Sequence, residues 1–179
     1  MKKALLIAVA MLFAATAVNA GGGALGYIGV YGDMLHSVCN WTGGTGAMTC
    51  YVWCLPSADG MTAAEFAASF PAWVFASPSL NPAVLALGGL TTGTSVTFPA
   101  GCQTDWIWTH SVSCFVTAPT PGSINIIPDP SVSPAVLAFA TCGVGNPIQP
   151  VIVHNNLVLN GACVIATKDA SWGAIKSLF

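Results

Sequence analysis

The chain has 179 residues, of which 54% are hydrophobic and 6% charged, with a formal net charge of −2. Ordinary soluble domains carry about 25% charged residues, and disordered chains are poor in apolar ones, so this composition excludes both an ordinary ionic surface and a disordered chain. With only four Lys+Arg against six Asp+Glu, it also excludes the basic footprint that nucleic-acid binding requires.

The first segment, "MKKALLIAVAMLFAATAVNA", starts with Lys2 and Lys3, runs apolar from Ala4 to Ala15, and carries small residues at Val18 and Ala20. That pattern predicts a secretory signal peptide over residues 1–20, cleaved after Ala20. Its apolar run is shorter than the roughly 20 residues a spanning helix needs. Nothing later is long and apolar enough to span a bilayer, so the mature chain is expected outside the cytoplasm, secreted or at the cell surface or in a periplasm. Cleavage would leave two cations, Lys168 and Lys176, against all six carboxylates, a net charge of −4.

Residues 21–163 suit one domain. "GYIGVYGD" alternates with period two and predicts a strand with Ile28 and Val30 on one face and Tyr27, Tyr31 and Asp33 on the other. The turn-rich "NWTGGTGA" that follows is expected to expose Trp41, a candidate platform for stacking on a sugar ring. "MTCYVWCL" is apolar on both faces and reads as a strand buried on both sides. "TAAEFAASFP" fits a capped helix and a strand equally well by local pattern; the strand is preferred because its surroundings are strands. In "DWIWTHSVSCFVT", Trp106, Trp108, His110, Val112, Cys114 and Val116 share the face expected to meet the core. "SINIIPD", "VLAFATC" and "PVIVHNNLVL" are further short strands bounded by turn residues. The fold class expected is therefore all-β, an antiparallel two-sheet β-sandwich.

Seven cysteines follow the signal: Cys39, Cys50, Cys54, Cys102, Cys114, Cys142 and Cys163. In an oxidising compartment they allow at most three disulfides and leave one thiol, either buried or available for linkage to another chain. Their connectivity is open. His36 and Cys39 have H-x-x-C spacing, and Cys50 and Cys54 are four apart on a strand face, but disulfides are the better reading than zinc. Asp33, Asp59 and Asp129 lack the clustered spacing of a calcium loop. No G-x-S-x-G, H-E-x-x-H or phosphate-binding glycine loop occurs, so no catalytic, cofactor or metal residue is assigned and no cofactor is expected. His110 is expected to be a hydrogen-bonded core or edge histidine.

The last segment, residues 164–179, holds both mature cations. As a helix, "SWGAIKSLF" places Trp172, Ile175 and Phe179 on one apolar arc, with Lys176 near its carboxyl end. Lys168, Trp172, Ile175, Lys176 and Phe179 are the candidate recognition residues of this tail; the alternative is a short helix docked on its own domain.

"IGVYGD", "TAAEFAASFPA", "INIIPDP" and the closing "NGACVIATKDASWGAIKSLF" together resemble a group of uncharacterised secreted bacterial proteins. Those have a cohesin-like or immunoglobulin-like β-sandwich and a terminal W-x-x-(V/I)-K-S-L-(Y/F). The resemblance implies a fold and carries no activity. The function expected is non-catalytic association or assembly, with self-association or a cell-surface partner; the alternative is a carbohydrate- or small-ligand-binding module.

Overall fold

A computed structural model describes residues 25–163; residues 1–24, with the expected signal peptide, and 164–179, with all five tail candidates, lie outside the described residues. Thirteen strands form two packed sheets, and the described residues contain no helix. The first sheet has the order β12 (Ile152–Asn155), β1 (Tyr27–Tyr31), β3 (Gly46–Leu55), β8 (Ile107–Val116), β5 (Val74–Leu80). The second runs β11 (Ile148–Pro150), β10 (Ala138–Ala140), β4 (Ala63–Ser69), β9 (Gly122–Ile127), β13 (Leu157–Leu159), β2 (Asn40–Trp41). On the free flank of β4 it adds β7 (Gly93–Thr97) and then β6 (Leu85–Gly89).

The β-sandwich expected from the sequence is what the chain forms, and "TAAEFAASFP" is strand β4. Alternation explains why the strand wins. Ala64, Phe66 and Ala68 are buried on the core face while Ala63, Glu65 and Ser69 on the other face are less so, with Ala67 on that second face also buried, and neighbours on both flanks satisfy the backbone as a helix could not within a sheet layer. The sheets are mixed rather than wholly antiparallel. β12 runs parallel to β1, and β13 parallel to β2; β12 is an edge strand of the first sheet, whereas β13 lies between β9 and the edge strand β2.

The core lies between Ile28, Val30, Val52 and Val112 on one sheet and Phe66, Val96, Ile124 and Leu157 on the other, all at most 1% exposed. Each such side chain contributes about 1.5–3 kcal/mol when removed from water. One sequence expectation for this face is corrected. Val52 pairs with His110 but Trp53 pairs with Trp108, which leaves Thr109 as an extra residue in β8. This β-bulge shifts the alternation by one residue. His110, Val112, Cys114 and Val116 face the core as expected and Ile107 packs against it, while Trp108 turns to the outer face beside Tyr51. Trp106 precedes the strand and sits in an aromatic cluster on that same outer side.

β9 and β10 occupy consecutive stretches of one flank of β4, Ala67–Ser69 and Ala63–Glu65. The excursion between them, residues 128–137, is anchored by Asp129, which is 2% exposed, bridges to Val136 and accepts a hydrogen bond from the Ser131 amide at 2.7 Å. Gly93 makes room for that carboxylate. A Cβ there would lie 1.8 Å from Asp129 Oδ1, and the residue's φ of +116° is open only to glycine.

Two disulfides join distant segments: Cys39 to Cys163 and Cys102 to Cys142. The first ties the end of the described chain to the segment before β2. The second ties the loop before β8 to the segment after β10, with Gly60 packed against both sulfurs. Cys50, Cys54 and Cys114 are free and buried, so the chain uses two of the three bridges its cysteines allow, and Cys114 lies in the core as expected.

Candidate functional site: an apolar trough and an aromatic knob on opposite faces

The pairing registers of the second sheet align outward-facing residues of five strands into two rows. One row is Leu85, Thr97, Ala63, Ala140 and Ile148; the other is Leu87, Ser95, Glu65, Ala138 and Pro150. At the β6 end, Leu85 and Leu87 stand beside the smaller Ala63, Ser95 and Thr97, and this part of the face is a trough, while Glu65 stands at the middle of the second row. Leu85 is 60% exposed, Leu87 79% and Ile148 70%. Between Leu85, Leu87 and the Ala63–Ser95 floor lies a hollow of about 310 Å3. Glu65 is the one charged residue in either row. An exposed apolar concavity of this kind marks an interaction surface.

The opposite outer face carries an exposed aromatic pair. Phe75 on β5 and Phe115 on β8 are directly paired, with Ala47 next in the same row. They are 68% and 54% exposed. A cross-strand aromatic pair normally gains from mutual contact and burial; here it projects into solvent as a knob. Small neighbours, Ala47, Ser77 and Ser113, leave its flanks open.

Elsewhere on the first sheet's outer face, aromatic side chains form a covered cluster. The imidazole of His36 stacks on Trp106 with centroids 4.3 Å apart and 16° between planes, and Trp53 meets His36 edge-on at 5.1 Å. Tyr31 Oη and His154 Nδ1 share a 2.7 Å hydrogen bond, and burial pushes the Tyr31 pKa up to about 12. His36 takes a left-handed φ of +45°. Its loop is held by Asp33, whose carboxylate accepts from the amides of Ser37 at 2.8 Å and Val38 at 2.9 Å. Desolvation acts to raise the Asp33 pKa, but the hydrogen bonds from Ser37, Val38 and Leu35 outweigh it and hold the pKa below the ordinary value.

The residues singled out from sequence are dispersed. Trp41 is half-buried, packed against the core and lying across Gly43, where an added Cβ would come within 2.4 Å of the ring; it is not the open platform expected. Cys39 is engaged in a disulfide, so its spacing from His36 makes no metal pair. Asp33, Asp59 and Asp129 are not brought together, and among the described residues no group of three or more His, Cys, Asp or Glu could hold a metal ion. Hydrogen bonding with Cys114 and then burial push the Cys50 thiol far up, and burial does the same to Cys54. None of these is an activated nucleophile. The trough and knob residues were not singled out from sequence. The signal was present in "VLALGG", where Leu85 and Leu87 alternate with Ala86 and Gly88, but alternation does not say which face is covered.

No family model, curated protein or solved structure matches this chain.

Proposed function

We propose that this protein is a secreted or surface-associated, non-catalytic module that works by assembly with further copies of itself, the Phe75–Phe115 knob of one copy seating in the Leu85–Leu87 trough of the next. The observation that carries the reading is that apolar surfaces of opposite shape lie on opposite outer faces of the sandwich. Knob and trough are different patches, so the contact is head-to-tail, and such contacts propagate unless a rotation closes them into a ring. Between Gly21 and Thr167 the chain has no Lys or Arg, so charge opposes close approach only weakly. Two disulfides and the absence of a membrane-spanning helix among the described residues agree with residence outside the cytoplasm. The resemblance to secreted bacterial sandwiches, and a sorting or anchoring role for the 164–179 tail, belong to the same proposal.

Light scattering of the mature chain across a concentration series, with and without reductant, tests it. Oligomers that grow with concentration and persist in reductant are expected. Phe75→Arg and Leu87→Arg should each give monomers, whereas an equimolar mixture of the two should give a dimer, since one retains its trough and the other its knob. A wild-type chain that stays monomeric at high micromolar concentration, or a mixture that fails to pair, refutes the arrangement.

A further inference from the structure

The sandwich is not closed on every side. β5 pairs only with β8 and β6 only with β7, so along this side the two sheets have free edges. Interior-facing positions of β5 are uncovered there. Leu80 is 37% exposed and Pro78, which offers no backbone donor, is also exposed. Between the edges lies a cleft of about 440 Å3, lined by Pro78, Leu80, Gly88, Gly89, Leu90 and His110. That volume lies within the usual range for small-molecule sites.

His110 is the single titratable side chain in the lining and is 5% exposed. The bulge at Thr109 places a hydroxyl beside its ring. The Thr109 hydroxyl lies 3.4 Å from the Val52 carbonyl, to which it donates, so its oxygen is left to accept from His110 Nδ1 at 3.2 Å. We assign the proton to Nδ1 on this network, which leaves Nε2 as an acceptor. Among the described residues the hydrogen bond of this ring is the one at Nδ1. Among the described residues the sealed polar atoms that lack a partner are Trp53 Nε1, Ser57 Oγ, Thr94 Oγ1 and Gln149 Oε1; Nε2 is not one of them, and the His110 side chain is part of the cleft lining. The ring is further held edge-on to Phe66 at 6.0 Å. Burial pushes the His110 pKa down to about 4, so the imidazole is neutral at physiological pH.

We propose that this cleft is a binding site for a small, uncharged, apolar-bodied ligand bearing a hydroxyl donor, with the hydroxyl bonded to His110 Nε2 and the body against Leu80, Leu90 and Pro78. No cation or carboxylate lines the cleft to compensate an ionic ligand. An acceptor on a ring that is 5% exposed and lines the cleft favours a ligand that supplies a donor. This site is separate from the knob and shares only Ala86 with the trough lining, and it does not depend on assembly.

Phenol and anisole are suitable probes, having the same ring and oxygen but differing in the donor. In the 15N-histidine-labelled mature chain, carrying Phe75→Arg to hold it monomeric, phenol should move the His110 Nε2 resonance saturably in the millimolar range. Anisole should bind at least about tenfold more weakly, the equivalent of one hydrogen bond. His110→Phe identifies the resonance. Leu80→Trp, a change at a partly exposed position, should fill the mouth and abolish the phenol response while leaving the thermal midpoint unchanged. Equal response to both probes, no response of His110 to phenol, or an undiminished response in Leu80→Trp would overturn the proposal.

Discussion

Replacing both Cys102 and Cys142 with Ala removes the bridge between the loop before β8 and the segment after β10. The two residues are 40 apart in sequence, and the loop-closure entropy restored to the unfolded chain by cutting a loop of that length corresponds to about 4 kcal/mol at 25 °C. The entropy of unfolding near the midpoint for a domain of about 140 residues is about 0.3 kcal/mol per degree, so the thermal midpoint should fall by about 13 °C. The bridge Cys39–Cys163 closes a loop of 124 residues, three times longer. Because the dependence is logarithmic, removing it should cost only about 1 kcal/mol more. Urea unfolding of each double variant, followed by tryptophan fluorescence, measures both values. Gly60 supplies an internal control. A Cβ at Gly60 would lie 2.4 Å from Cys102 Sγ and 2.7 Å from Cys142 Sγ, at a φ of +72°. Gly60→Ala should therefore destabilise the bridged protein more than the Cys102→Ala, Cys142→Ala background, where only the backbone cost remains. A loss below about 1 kcal/mol on removing the bridge, or equal Gly60→Ala costs in both backgrounds, would refute the entropic and steric reasoning together.

Gly93→Ala should destabilise by more than about 2 kcal/mol in the same assay, since it combines a forbidden φ with displacement of the buried Asp129 carboxylate. Cys50, Cys54 and Cys114 should resist iodoacetamide in the native protein, and three alkyl groups per chain should appear after denaturation without reductant, rising to seven with it. His110 should make stability pH-dependent. Its folded pKa of about 4 lies below the ordinary value of 6.5, so the unfolded chain binds a proton that the folded chain refuses. Stability present above pH 6.5 is then lost as pH falls toward 4, by about 3 kcal/mol in all, and His110→Phe should flatten that part of the profile. Asp33→Ala should loosen the loop that carries His36, read as faster amide exchange at Ser37 and Val38, with little change in global stability because the carboxylate is exposed.

What the sequence by itself determined is the class of the molecule and the identity of most strands. Period-two alternation in residues 27–31 and 110–116, turn residues between short apolar runs and the lack of any sustained helical period admit a sandwich and little else, because alternation reports which side chains must leave water. Even the ambiguous "TAAEFAASFP" followed from its surroundings. What only the tertiary structure decided are the facts that depend on partners far along the chain. The bulge at Thr109 arises where β8 meets β3, and it moves Trp108 off the core face while setting the Thr109 hydroxyl beside His110. The choice of Cys102 with Cys142 and Cys39 with Cys163 needs the strands between them placed first. The exposure of Leu87 and Phe115 follows from which sheet face lies against another layer. Local pattern gives a strand two faces; only the packing of the second sheet says which face is covered, and the uncovered ones here are the trough, the knob and the edge cleft.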